Sequence, residues 1–167
     1  ANIETEKKYG KVVSVKWLLI EAKPEAGDDR DHAFFVVSQG DSIDGLHAAL
    51  AEIRGDAAVR AVVLTGAGGH FCAGADVVKL ADGHAKNVKR VTGAMRTIMT
   101  GAQKLVASVL DCGKPVITVV QGAAAGIGAH LAYASDLVIA TDAAYFAESF
   151  VKRGLVVDGG GAYLLPR

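Results

Sequence analysis

With 167 residues, the chain is expected to form one domain over 1–167, large enough to bury a substantial core. It is 51% hydrophobic and 22% charged, its formal net charge is zero and no basic cluster stands out, so nucleic acid is not an expected partner. Cys72 and Cys112 have neither metal-ligand nor redox spacing, which predicts no metal site, no disulfide framework and a reducing, cytoplasmic setting.

In chain order, Glu4, Glu6, Lys7 and Lys8 occupy the place of an apolar stretch, so no signal peptide is expected. Lys11 to Ile20 reads as a strand, Pro24 to Asp29 as a turn, and His32 to Ser38 as a second short strand. Ser42 is a candidate cap for a helix carrying Ile43, Leu46, Ala49, Leu50 and Ile53 on one face. A strand from Ala61 to Thr65 then breaks into a glycine-rich turn, Gly66-Ala67-Gly68-Gly69-His70-Phe71-Cys72-Ala73-Gly74-Ala75-Asp76, whose last residue is placed to cap a short helix. A longer helix carries Val88, Val91, Met95, Ile98, Ala102, Leu105 and Val109 at helical spacing. Lys114-Pro115 closes it and opens a second buried strand, which breaks at Gln121-Gly122-Ala123-Ala124-Ala125-Gly126-Ile127-Gly128. Gly126 to Ala134 should be helical, Asp136 to Thr141 a strand, and Tyr145 to Lys152 a short ordered segment. Pro115 to Ser135 contains no Asp, Glu, Lys or Arg, but Gln121, His130 and the many small residues argue for a buried strand plus helix rather than a membrane span. Strands alternating with helices predict a mostly parallel α/β sheet.

The two glycine-rich turns carry the chemistry. A buried strand that breaks into Gly and Ala and then opens a helix leaves backbone N–H groups uncovered. Two such turns from neighbouring strands can aim one N–H each at a single oxygen, the geometry of an oxyanion hole. Phosphate chemistry is the rival. A P-loop needs Lys then Ser or Thr after its last glycine, and Gly126-Ile127-Gly128-Ala129-His130 has neither. The dinucleotide fingerprint needs a third glycine, which both Gly66-Ala67-Gly68-Gly69-His70-Phe71 and Gly126-Ile127-Gly128-Ala129-His130-Leu131 lack. Either turn alone is better read as tight strand–helix packing; the pair, each with its own strand, shifts the weight towards the hole.

Val62-Val63-Leu64-Thr65-Gly66 running into Phe71-Cys72-Ala73-Gly74-Ala75-Asp76 resembles the first signature of the crotonase (enoyl-CoA hydratase/isomerase) family. Lys114-Pro115-Val116-Ile117 into Gly122–Gly128, with Ser135-Asp136-Leu137-Val138-Ile139-Ala140, resembles the second. Gly154-Leu155-Val156-Val157-Asp158-Gly159-Gly160-Gly161 with Leu165-Pro166-Arg167 resembles a third stretch, and Lys23-Pro24-Glu25-Ala26 is a fainter echo of a fourth. The likeness covers roughly residues 46 to 167. It implies an α/β, crotonase-like core of repeated β-β-α units with a mostly parallel sheet. It also implies an acyl-CoA or enoyl-CoA thioester as substrate, with no separate cofactor. The thioester C=O would lie between the N–H of Ala75 and that of Ile127, both at helix starts where developing negative charge is favoured. Ala73, Asp76, Val77, Val78, Gly126, His130 and Phe150 would line the substrate.

The likeness has gaps. Family hydratases add water with two glutamates, and His130 and Phe150 stand at those positions. Asp158 remains where isomerase, dehalogenase and some hydrolase branches carry their working acid, which is the favoured reading over an N-cap or turn aspartate before three glycines. His130 reads more simply as a packed core histidine than as a base, His70 as loop surface, and Asp136 and Asp142 as structural. Met95 and Met99 suit core packing as well as an acyl pocket, and Lys86, Lys89 and Arg90 suit a solvated helix face better than contact with CoA phosphates. Residues 27–41 do not follow the family. The family continues past the position of Arg167 with a helical part that covers the pocket and builds trimers, so the sequence reads as a fragment or truncation with exposed apolar surface, expected to form a homo-oligomer, trimer or hexamer. The expected activity is a thioester-enolate enzyme, favouring an isomerase-type proton shift through Asp158. Hydration, acyl-CoA hydrolysis or dehalogenation, and a non-catalytic acyl-CoA-binding or assembly subunit stay open.

Overall fold

The computed structural model of the protein describes residues 19–22, 32–37, 42–57, 59–66, 68–74 and 91–167. Most of the strand expected from Lys11, the turn at 24–29, the helix that Asp76 would cap and the start of the helix from Val88 fall outside them.

Alternation along two apolar strands sets the sheet. β3 (Val62–Gly66) and β4 (Val116–Val120) each bury every second residue: Val62, Leu64 and Gly66 on one, Val116, Thr118 and Val120 on the other. With β1 (Leu19–Ala22), β2 (His32–Val37) and β6 (Leu137–Ala140) they form a five-stranded sheet in the order β1-β2-β3-β4-β6. Only the β1–β2 pair is antiparallel; Val62 lies beside Val116, and Ile117 beside Leu137.

α1 (Ser42–Gly55) brings Leu46, Leu50 and Ile53 onto this sheet, and α3 (Lys104–Leu110) brings Leu105, Val106 and Val109. Both faces are almost wholly buried, and each such aliphatic side chain is worth about 1.5–3 kcal/mol. Asp136 is structural, as expected: its carboxylate accepts the Val116 N–H at 2.7 Å and ties the start of β6 to that of β4. Lys114 likewise clamps the loop after α1, donating to the carbonyls of Asp56 and Val59, both at 2.6 Å.

The long helix expected through Val109 is not one regular element. α2 (Val91–Ile98) runs into a π turn, Met99–Gln103, before α3. The Thr100 hydroxyl takes the Arg96 carbonyl at 2.9 Å, where it competes with the backbone ladder. The apolar stripe therefore divides: the α3 residues are buried, while Met95 and Met99 are 57% and 54% exposed, so neither methionine is core.

A second departure lies within the second glycine-rich turn. Ala123–Ala125 forms a strand, β5, which pairs in parallel with β7 (Tyr145–Ala147). Cys72 forms an isolated parallel bridge with Ala124 on the other side. Three neighbouring passes of chain thus leave the main sheet and continue side by side in a small second layer. α4 (Ile127–Tyr133) follows β5, giving the repeated β-β-α arrangement; a 3₁₀ turn (Val151–Arg153) follows β7, and α5 (Gly161–Leu164) ends the chain. β6 is apolar yet open: Leu137, Val138 and Ile139 are 60%, 43% and 58% exposed. No described helix is long and apolar enough to cross a membrane.

Candidate active site

The two glycine-rich turns are zipped into one structure. The N–H groups of Phe71 and Cys72 both donate to the Ala123 carbonyl at 3.0 Å, and the Ala125 N–H donates to the Cys72 carbonyl at 2.8 Å. Gln121 spans the same seam: its amide donates to the Gly66 carbonyl at 2.5 Å and accepts from the Thr65 hydroxyl at 3.2 Å. His70 is exposed, as expected for loop surface, but it has a further role. Its Nδ1 accepts the Ala123 N–H at 3.0 Å, so the ring is a clasp between the turns.

Gly74 makes the closest approach. Its φ is +92°, and a methyl group there would stand 2.8 Å from the Ala125 carbonyl oxygen. Only glycine adopts this conformation readily and leaves room for the facing backbone. Ala75, the first expected donor, follows directly; Ala75, Asp76, Val77 and Val78 lie outside the described residues. Ala73 is exposed beside the seam. On the facing turn, the Gly126 N–H donates to the Ala147 carbonyl at 3.0 Å. Ile127 opens α4, where the first N–H groups have no carbonyl one turn back to bond.

Cys72, on the first turn, is packed against Gly128 of the second. Its thiol is pushed above the ordinary cysteine range by burial, partly offset by a hydrogen bond from the Gly74 backbone, so it is a packed thiol rather than a nucleophile.

His130, Phe150 and Asp158 come together from three separate segments. His130 sits on α4 with no exposed surface, and its ring is stacked on Phe150 at 5.4 Å between centroids and 1° between planes. Its Nε2 lies 3.3 Å from Glu148 Oε2, and its Nδ1 lies 3.9 Å from Asp158 Oδ1. The glycines after Asp158 are shaped to this ring. Gly159, with φ +55°, and Gly161 lie so close that a methyl on either would strike a ring nitrogen. The glycine run thus makes room for the His130 ring. Tyr133 and Phe146 extend the cluster, stacked at 5.7 Å. The Tyr133 hydroxyl is pushed above the usual tyrosine range by burial and then by the Glu148 carboxylate.

Glu148 is the site residue that sequence reasoning missed. One signal was there: it is the single charged residue in Tyr145-Phe146-Ala147-Glu148-Ser149-Phe150-Val151, a run otherwise mostly apolar. Of the two carboxylates on His130, Asp158 is the more open, 30% exposed against 19% for Glu148. Asp158 thus keeps part of its carboxylate at the surface, while His130 has no exposed surface. Among the described residues, no three His, Cys, Asp or Glu are placed to hold a metal ion.

Residues 39–167 match the family model described as enoyl-CoA hydratase/isomerase. A Rhodobacter capsulatus protein named as an enoyl-CoA hydratase is 43% identical over 122 residues, 73% of this chain and 44% of that protein. The 1,2-epoxyphenylacetyl-CoA isomerase of Escherichia coli K12 is 41% identical over 132 residues, 74% of this chain and 48% of that enzyme. A crystal structure from Streptomyces coelicolor A3(2), described as an enoyl-CoA hydratase, superposes with a TM-score of 0.73 at 30% identity, covering 95% of this chain and 58% of the other. The chain spans about half the length of the curated relatives it matches. It belongs to the enoyl-CoA hydratase/isomerase family, with the crotonase-like fold that the sequence led us to expect.

Proposed function

We propose that this member of the enoyl-CoA hydratase/isomerase family binds an acyl-CoA thioester and catalyses an isomerase-type proton shift through a thioester enolate. The observation that carries the reading is the zipped pair of turns with Asp158, half-open, on a buried histidine beside them. The backbone N–H groups of Ala75 and Ile127 are the donors to the thioester oxygen. Each such donor is worth about 3 kcal/mol of transition-state stabilisation, because it meets charge that develops only during reaction.

The step balances with one carboxylate. Asp158 accepts the proton as a C–H bond beside the thioester breaks, and the bonding pair moves into the carbonyl to give the enolate. The double bond shifts along the acyl chain as the same carboxyl returns the proton at the far carbon. Phe150 walls this region with an apolar ring, and neither Phe150 nor His130 offers the pair of carboxylates that water addition needs. The name of the Escherichia coli relative favours the isomerase reading, while the Rhodobacter capsulatus name favours hydration.

The test is a panel of acyl-CoA and enoyl-CoA thioesters incubated with the whole protein and followed by mass spectrometry and chromatography. Isomerisation is expected: unchanged mass with altered retention. Gain of water would replace the reading with hydration, loss of CoA with hydrolysis, and thioester binding without turnover with an assembly or carrier role.

A further inference from the structure

His130 is wholly buried, yet one of its two ring nitrogens has nothing to bond. Nδ1 has no hydrogen-bond partner among the described residues, and Asp158 Oδ1 is 3.9 Å away. The other nitrogen is committed. A carboxylate can only accept, so Nε2 carries the hydrogen and donates to Glu148 Oε2 at 3.3 Å. Stacking on Phe150 and the close backbone of Gly159 and Gly161 stop the ring from turning. In the neutral ring the donor at Nε2 makes Nδ1 an acceptor, fixed in place and facing a carboxylate that has no hydrogen to give. An unmet buried acceptor costs free energy until a donor arrives. Here the donor is Asp158 itself, once it has taken up a proton.

We propose that His130, held by Glu148, is a positioning residue whose Nδ1 keeps the transferred proton on Asp158 between its removal from substrate and its return. The inference rests on the proton-shift reading above. After the C–H bond breaks, the Asp158 carboxyl turns about its Cβ–Cγ bond and its O–H donates to Nδ1, closing the gap by about 1 Å to hydrogen-bond distance. It then turns back and delivers the same proton to the far carbon. Nδ1 acts only as acceptor and Nε2 only as donor to Glu148 throughout, so the one proton moves from substrate to Asp158 and back and none is gained or lost. The contact exists only after proton removal, so it favours the intermediate over the bound substrate. Exchange of that proton with water through the open side of Asp158 is the competing event. The titratable groups that face the ring are Glu148, Asp158 and Tyr133.

Two measurements on the whole protein test this. ¹⁵N NMR of the histidine rings should show His130 with hydrogen on Nε2 and a bare Nδ1. In Asp158→Asn, whose amide is a permanent donor, the Nδ1 resonance should move upfield. In Glu148→Leu the tautomer preference should be lost, and Glu148→Gln, which still accepts, should restore it. A hydrogen on Nδ1 in the unaltered protein would overturn the proposal. Next, an enoyl-CoA deuterated at the carbon that loses its proton is turned over in ordinary water. Label should reappear at the far carbon, and His130→Phe, which keeps the ring stack, should cut that retained fraction about tenfold, the weight of one hydrogen bond. Equal retention in His130→Phe would overturn the proposal even if isomerisation proceeds. Absence of isomerisation in the unaltered protein would sink the proton-shift reading instead, and the NMR measurement would still decide whether Nδ1 is the acceptor described.

Discussion

Gly74 and Gly68 form a natural pair of perturbation and control. Both adopt positive φ, +92° and +84°, so alanine at either is strained by about 1–3 kcal/mol. They differ in what the new methyl meets. At Gly68 nothing lies within 4 Å, whereas at Gly74 the Ala125 carbonyl oxygen would be at 2.8 Å, with the Ala125 carbonyl carbon at 3.4 Å. Both obstructing atoms are backbone of a residue whose N–H is itself bonded to the Cys72 carbonyl, so relief must come from the two turns parting by about half an ångström. A displacement of about 1 Å costs roughly 100-fold in rate at a preorganised site, and half that distance about tenfold. Gly74→Ala is therefore expected to lower kcat/KM for an enoyl-CoA about tenfold beyond Gly68→Ala, and urea unfolding should show the larger loss of stability for Gly74→Ala, since only there does the methyl meet backbone. Equal kinetics in the two variants would refute the argument that the seam at Gly74 sets the spacing of the oxyanion donors.

On the proposed proton-shift reading, Asp158→Asn should lower turnover about 100-fold or more while leaving CoA-thioester binding by calorimetry nearly unchanged, since it would remove the proposed proton carrier and leave the proposed backbone donors in place. His70→Ala leaves the Ala123 N–H without its acceptor and should cost about 1–3 kcal/mol in urea unfolding, although the residue is exposed. Tyr133, whose hydroxyl is pushed up by burial and by Glu148, should ionise later than an ordinary tyrosine in an ultraviolet titration. Because its folded value is raised, its share of stability is complete below the unfolded tyrosine range and is lost as pH rises through the folded value. Tyr133→Phe should remove that alkaline loss.

Much of the frame was legible because it follows from local pattern. Ser42 to Ile53 shows one apolar face, and the alternating runs at Val62 and Val116 can hardly be anything but buried strands. β5 was hidden because Ala-Ala-Ala has no strand preference of its own; its neighbours Cys72 and Tyr145–Ala147 make it a strand. The break at Met99–Gln103 was hidden because a π turn keeps the helical composition while shifting which residues face inward. At the site, Asp158 and His130 stood out as residue types, but not that they touch. The Glu148 contact crosses 18 residues of turn and strand, and no periodicity encodes it. His70 was read as surface, correctly by exposure, yet a ring can be wet on one side and bonded on the other.

The seam between the two turns also has a kinetic meaning. Its ties join residues far apart in sequence: Gln121 to Gly66 spans 55 positions, and Ala123 to His70 spans 53. Neither turn can acquire its shape from its own neighbours, because each is held by the other across a large loop whose closure must come first. If the seam builds the proposed oxyanion hole, that site is expected to assemble only with the long-range contacts that complete the sheet, and a collapsed chain lacking them would hold both glycine-rich segments without it. During refolding, recovery of CoA-thioester affinity should coincide with the last phase of sheet formation. Ligand binding then reports on completed folding rather than on local order.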